Sequence, residues 1–161
     1  MTTTTTHPFA AIILAAGKGT RMKSDTHKVL HKVAGRAMLE HLMASVAELG
    51  PERLAVVVGA GRDQIEKAVG TRAATCLQEP QLGTGHAVQQ AVPALPDDGV
   101  TLVLSGDVPL TRPETLQALL DLCAGERMAL LTLDMPDPTG YGRIVRSADG
   151  SVQAIVEHKD A

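Results

Sequence analysis

Aromatic side chains are nearly missing from this chain of 161 residues: it has Phe9, Tyr141 and no tryptophan. Surfaces that bind single-stranded nucleic acid stack bases on aromatic rings, so composition argues against that role. It argues equally against a large interface anchored by aromatic hot spots. A basic surplus is missing too. The 15 Lys and Arg are outnumbered by 18 Asp and Glu, for a net charge of −3, whereas a general nucleic-acid binder is strongly positive. There are two cysteines, Cys76 and Cys123, far apart and without metal-ligand spacing. They read as reduced thiols acting as small hydrophobes, which suits the cytosol. No apolar run approaches the ~20 residues of a membrane span. The N-terminus lacks the basic-then-apolar order of a secretory signal. Residues 1–8, with the run Thr2 to Thr6, read as a disordered polar tail.

What is present is a repeating order of strand, loop and helix. Ala10 to Leu14 is a continuous apolar run, as in a strand buried on both faces. A loop from Ala15 to His31 follows, then a helix over Ala37 to Leu49 that Gly50-Pro51 ends. Leu54 to Val58 reads as a buried strand, Asp63 to Val69 as a short helix and Ala74 to Leu77 as a strand. Thr84 to Ala91 reads as a helix, and Val100 to Leu104 as another buried strand. A helix with Pro113 in its first turn runs to about Cys123. Met128 to Leu133 reads as a strand. Arg143 to Arg146 and Val152 to Val156 form a hairpin around Ala148-Asp149-Gly150. This order predicts a parallel sheet with helices on both faces. Ligands of such sheets bind at the carboxyl ends of the strands, and the polar loops all lie there.

The loop Gly17-Lys18-Gly19-Thr20-Arg21-Met22-Lys23, with Lys28 beyond it, supplies glycine backbone and several cations. Free backbone N–H groups and cations are what a polyphosphate needs. The dinucleotide fingerprint fails because Met22 stands where a third glycine belongs, and the P-loop spacing is absent as well. Asp107 follows the Val100 to Leu104 strand across Gly106, and a carboxylate there can hold Mg²⁺ against phosphate oxygens. The Gln78 to His86 loop offers amides suited to a neutral base edge. Its plain alternative is a polar turn leading into a helix. Glu157 and Tyr141-Gly142-Arg143 are open between surface and site. His27, His31, His41 and His86 show no ligand spacing. No Ser/His/Asp or Cys/His arrangement is evident.

Five blocks in order resemble the sugar-nucleotide pyrophosphorylases. They are Leu14 to Met22 with Lys28, Gln78 to Ala87, Gly106-Asp107-Val108-Pro109-Leu110, Asp137 to Ile144, and Glu157 to Ala161. The branch they resemble is the uridylyltransferase half of the bacterial bifunctional enzymes that make UDP-N-acetylglucosamine. The resemblance implies an α/β, Rossmann-like (GT-A-like) three-layer sandwich with a mostly parallel sheet. It implies a partial nucleotidyltransferase domain over residues 9–161 whose C-terminal part is missing. The implied reaction is UTP plus N-acetylglucosamine 1-phosphate to UDP-N-acetylglucosamine and pyrophosphate, with Mg²⁺, for peptidoglycan and lipopolysaccharide precursors. By the same resemblance, Leu14, Ala16 and Gly17 lie along the nucleotide through backbone groups. Gln78, Gln81 and Gly83 recognise uracil, and Thr84 lies near nucleotide and sugar. Arg21 holds the leaving pyrophosphate, Lys28 the phosphates at the reaction centre, Asp107 the metal, and Gly142 and Glu157 the amino sugar. His27 and Ser105 depart from the pattern, which has proline and an aromatic at those places; the first departure removes a fixed φ ahead of Lys28. A β-helix acetyltransferase, using acetyl-CoA and forming a homotrimer, is implied for the longer protein. The isolated chain is then expected to be inactive or nearly so. Alternatives are another nucleotidyltransferase of the same fold and an inactive nucleotide-binding fragment.

Overall fold

The computed structural model describes residues 7–17, 19 and 22–157. The chain separates into two compact units, Met1–Ala129 and Leu130–Ala161.

In chain order the first unit contains β1 (Phe9–Leu14), β2 (Lys32–Val33), β3 (Arg36–Ala37), α1 (Met38–Ala47) and β4 (Arg53–Val58). Then come α2 (Arg62–Val69), β5 (Ala74–Leu77), α3 (Thr84–Ala91), β6 (Val100–Ser105) and α4 (Pro113–Cys123). β5, β4, β1 and β6 form a parallel sheet in that spatial order, so β1 is interior and β6 is an edge. Ile12 lies opposite Ala55 on one side and Val103 on the other.

The apolar run of β1 is buried on both faces, as its continuous pattern predicts. One face, carrying Phe9, Ala11 and Ile13, packs against α1, α2 and α4 through Leu42, Val46, Ile65 and Leu116. The opposite face, carrying Ile12 with Ala55 and Val57, packs against Ala87 and Ala91 of α3. The first unit is therefore three-layered, with three helices below the sheet and one above. The small Ala87 and Ala91 let α3 lie close to the strands. α1 forms because Leu39, Leu42, Met43 and Val46 recur on one side, and all four are buried. Each such side chain contributes roughly 1.5–3 kcal/mol by leaving water. Gly50, at φ +67°, ends that segment in the left-handed conformation glycine tolerates.

Two expectations are corrected. Val100 to Leu104 is not buried throughout: in β6 Leu102 is buried while Thr101 and Val103 are exposed. The reason is position, since β6 is an edge strand and α3 covers β1 and β4 instead. Met128 to Leu133 forms no strand, and Met128 and Leu133 are 85% and 77% exposed. A strand exists only by pairing, and among the described residues nothing pairs with this run.

In the second unit β7 (Arg143–Arg146) and β8 (Val152–Val156) form the expected antiparallel hairpin. Its turn is held by Asp149, whose carboxylate accepts from Ser147 Oγ, Ser151 Oγ and the Ser151 backbone N–H. These bonds hold the Asp149 pKa down at about 2.

Candidate functional site

A parallel sheet puts the carboxyl end of every strand on one edge. In the first unit that edge carries residues 15–17 after β1, Gly59-Ala60-Gly61 after β4, Gln78 after β5 and Gly106-Asp107 after β6. Ala15 N donates to Val57 O and Gly106 N to Leu14 O, each at 2.9 Å, which ties these ends together.

The pair Lys28 and Asp107, 79 residues apart in the chain, meets on this edge. Lys28 Nζ lies 2.5 Å from Asp107 Oδ2. Packing beneath it makes the meeting possible. Val29, inside a short 3₁₀ turn over Lys28–Leu30, is buried. A side chain on Gly106 would come within 2.9 Å of Leu14 O and 3.2 Å of a Val29 methyl. Gly106 therefore lets the ends of β1 and β6 and Val29 close up, bringing Asp107 to Lys28. His27 has φ −57°, the value a proline ring would impose. Its backbone N–H donates to Gln64 Oε1 at 3.0 Å, and Gln64 Nε2 donates to Asp25 O at 2.9 Å. Gln64 of α2 thus clamps the segment that delivers Lys28. No sequence signal marks this residue, because its partners come from a distant loop. His27 is 5% exposed, neither ring nitrogen has a hydrogen-bond partner among the described residues, and burial lowers its pKa.

The glycines of the first loop have unlike surroundings. A Cβ on Gly17 would meet nothing within 4 Å, leaving its backbone open to a ligand. One on Gly19 would meet Lys28 Cβ at 2.6 Å, so Gly19 makes room for the Lys28 stem. Leu14 is half-buried and Ala16 buried. Arg21, with Lys18 and Thr20, lies outside the described residues.

The second loop is held by its own amides. Gln81 Nε2 donates to Ala16 O at 2.5 Å, strapping it to the first loop. Gln78 is buried; its backbone N–H donates to Val58 O at 2.8 Å and its Nε2 to Gly83 O at 2.8 Å. Both amide nitrogens thus donate to backbone carbonyls, and Gln78 Nε2 also faces His86 Nδ1 at 3.3 Å. Gly83 precedes α3 at φ +106°, and Thr84 opens that helix, exposed. Gln78 and Gln81 line a cleft of ≈ 570 Å³ with Gly59, Ala60 and Arg62. Gly59 is a residue that sequence reasoning passed over: a Cβ there would sit 2.6 Å from Ala16 O and strike Gln81 Nε2. The Gly-Ala-Gly run after a strand is the signal that marks such close approach.

Gly142 and Glu157 belong to the second unit. They lie together at the base of the hairpin, where a Cβ on Gly142 would be 3.5 Å from Val156 O and 4.0 Å from Glu157 Oε2. Both are exposed. A cleft of ≈ 490 Å³ in this unit is lined by Leu130 to Met135 and Tyr141 to Ile144, among others.

Among the described residues no three His, Cys, Asp or Glu side chains converge as a metal cluster. Asp107 alone still suits a divalent ion that takes its other ligands from phosphates and water. His31 and His41 are spent on backbone carbonyls, those of Thr26 and Val33. Cys76 and Cys123 are free thiols, and burial raises the Cys76 pKa. Among the described residues no helix is long and apolar enough to cross a membrane.

Residues 11–155 match the family model described as "MobA-like NTP transferase domain". The chain is 57% identical to the bifunctional protein GlmU of Polaromonas naphthalenivorans, over 96% of this chain and 35% of that protein. It therefore spans about a third of the length of the curated relatives it matches. Among solved structures, HddC from Yersinia pseudotuberculosis complexed with GMP-PN superposes with a TM-score of 0.69. It is 23% identical, over 92% of this chain and 68% of that one. A manganese complex of Rv0371C from Mycobacterium tuberculosis superposes at 0.59 with 18% identity, over 71% and 59%. These two likenesses concern the fold.

Proposed function

The chain belongs to the MobA-like NTP transferase domain family, and from that premise we propose that it carries the uridylyl-transfer half of a UDP-N-acetylglucosamine-forming enzyme. The substrates are UTP and N-acetylglucosamine 1-phosphate; the products are UDP-N-acetylglucosamine and pyrophosphate. The longer protein, by analogy with its bifunctional relatives, also acetylates glucosamine 1-phosphate from acetyl-CoA, acts as a homotrimer in the cytoplasm and feeds cell-wall precursor synthesis. The observation that carries the reading is the Lys28–Asp107 pair on the carboxyl edge of the sheet, beside an open glycine loop.

The chemistry needs no nucleophile from the protein. An oxygen of the sugar phosphate attacks the α-phosphorus of UTP. The bond from that phosphorus to the bridging oxygen breaks, and pyrophosphate leaves with the electron pair. Both reactants are anions, so catalysis consists of bringing them together and stabilising charge on the leaving group. In this reading Lys28 exchanges Asp107 for a phosphate oxygen, which its contact with that carboxylate supports. Arg21 is assigned to the pyrophosphate, and Leu14, Ala16 and Gly17 to the nucleotide. Gln78, Gln81 and Gly83 are assigned to uracil, Thr84 to the nucleotide–sugar junction, and Gly142 and Glu157 to the amino sugar. Asp107 would hold Mg²⁺, which supplies charge neutralisation at the phosphates when bound.

The test is a nucleotide panel. UTP, CTP, GTP and dTTP are titrated into the chain with Mg²⁺ by calorimetry, and pyrophosphate release is followed with N-acetylglucosamine 1-phosphate. A preference for UTP over CTP and GTP is expected, with turnover low in this chain. Equal or absent binding of all four would overturn the reading.

A further inference from the structure

The orientation of the Gln78 side chain can be deduced from its partners. Its Nε2 donates to Gly83 O at 2.8 Å. Turned over, the amide would set two carbonyl oxygens against each other at that distance, so the nitrogen end is pinned. The second N–H of the same nitrogen faces Nδ1 of His86 at 3.3 Å. On the far side of the ring, Nε2 of Gln90 lies 3.1 Å from His86 Nε2 and 3.4 Å from His86 O.

The tautomer is assigned from these contacts. A neutral imidazole has one donor and one acceptor nitrogen. Gln78 brings an N–H that its short bond to Gly83 holds in place, so Nδ1 accepts and Nε2 carries the proton. With Nε2 protonated, the Gln90 amide takes the turned orientation, its oxygen toward that proton in place of the nitrogen that faces it at 3.1 Å and makes the 3.4 Å bond to His86 O. The result is a chain of donors running from His86 Nε2–H to Gln90, and from Gln78 through Nδ1 of His86 and through Gly83 O. Gln78 Oε1 meets no donor among the described residues, and Gln78 lines the ≈ 570 Å³ cleft.

We infer that His86 and Gln90 are positioning residues that hold the Gln78 amide with its carbonyl oxygen presented to the nucleotide base. An oxygen accepts from a pyrimidine that carries N–H at ring position 3, as uracil does. It repels one with a lone pair there, as cytosine has. The relay therefore sets the choice of UTP over CTP, and it deepens the uridylyl-transfer reading, on which it rests. Loss of the relay lets the amide turn and costs the discrimination of about one hydrogen bond, roughly tenfold.

Two measurements on the chain test this. In the first, without nucleotide, the side-chain amide resonances of Gln78 are followed by ¹⁵N NMR. His86→Leu and Gln90→Leu should shift them and speed rotation of the amide. His86→Asn, which keeps an acceptor near the place of Nδ1, should restore the wild-type pattern. Unchanged Gln78 resonances in both leucine variants would overturn the relay whatever the nucleotide. In the second, UTP and CTP are titrated into each variant with Mg²⁺. The ratio of the two affinities should fall about tenfold in His86→Leu and be kept in His86→Asn. A purely structural role would weaken both nucleotides equally and leave the ratio unchanged. A wild-type chain with no UTP preference overturns the uridylyl reading. A wild-type preference that survives intact in both leucine variants overturns the relay alone.

Discussion

Replacing Gly59 by alanine should destabilise the fold, and the cost can be worked from the geometry. The added Cβ would lie 2.6 Å from Ala16 O and 3.3 Å from the Ala16 carbonyl carbon, and would strike Gln81 Nε2. Ordinary carbon contacts need about 3.4 Å or more, so something must move by most of an ångström. Gln81 is the end of a flexible side chain and can swing away, but doing so gives up its bond to Ala16 O, worth about 0.5–1.5 kcal/mol. The Ala16 carbonyl yields less easily, because it is backbone, two residues beyond a strand paired to both β4 and β6. Overpacking of this kind costs about 1–3 kcal/mol. The sum is about 2–4 kcal/mol, which for a chain of this size lowers Tm by roughly 5–15 °C. Urea and thermal melts of Gly59→Ala and Gln81→Ala measure it. Gln81→Ala loses only the hydrogen bond and should cost about 1 kcal/mol. Gly59→Ala within about 0.5 kcal/mol of the wild-type protein would refute the steric argument.

His27 predicts a pH dependence. Burial favours its neutral ring, so its folded pKa lies below the ordinary value of about 6.5. As pH falls through about 6.5 the unfolded chain binds a proton that the folded chain refuses, and stability declines until the folded pKa is reached. Urea midpoints taken between about pH 7 and about pH 5 should show that decline, and His27→Leu should remove part of its slope; an unaltered slope would sink the assignment. Gly17→Ala has open space and should leave Tm within about 2 °C. It should weaken nucleotide binding in calorimetry, because a methyl group would stand where the anion approaches. The Lys28–Asp107 pair is about one-third exposed on each side, so Asp107→Asn should cost no more than about 1 kcal/mol of stability. The same variant should abolish the Mg²⁺ dependence of UTP binding; a retained dependence would assign the metal elsewhere.

The order of elements was legible from residue patterns because it rests on local physics. The runs Ala10 to Leu14 and Leu54 to Val58 are continuously apolar, and Met38, Leu42, Val46 and Leu49 recur at helical period, with Leu42, Val46 and Leu49 buried. Such periods depend only on neighbours in the chain. Lys28, Asp107, Gln78 and Gln81 were legible as well, since each follows a strand or a glycine loop at the edge where ligands bind. The run Met128 to Leu133 misled, because apolar character makes a strand possible while only a pairing partner makes one exist. The exposure of Val103 misled for a related reason, since burial of a strand depends on what covers the sheet.

By itself, then, the sequence determined the alternation of strand and helix, the glycine loop, and the residue types that would serve phosphate, metal and base. Tertiary structure alone decided which of these meet. Lys28 reaches Asp107 because Gly106 and Val29 close the ends of β1 and β6, and because Gln64 clamps the segment before Lys28. It also decided that the amide nitrogens of Gln78 and Gln81 donate to Gly83 O and Ala16 O. The physical reason is a common one. Apart from the bond of Gln78 to Gly83, each is a distance between residues far apart in the chain, and no local pattern encodes a distance across a fold.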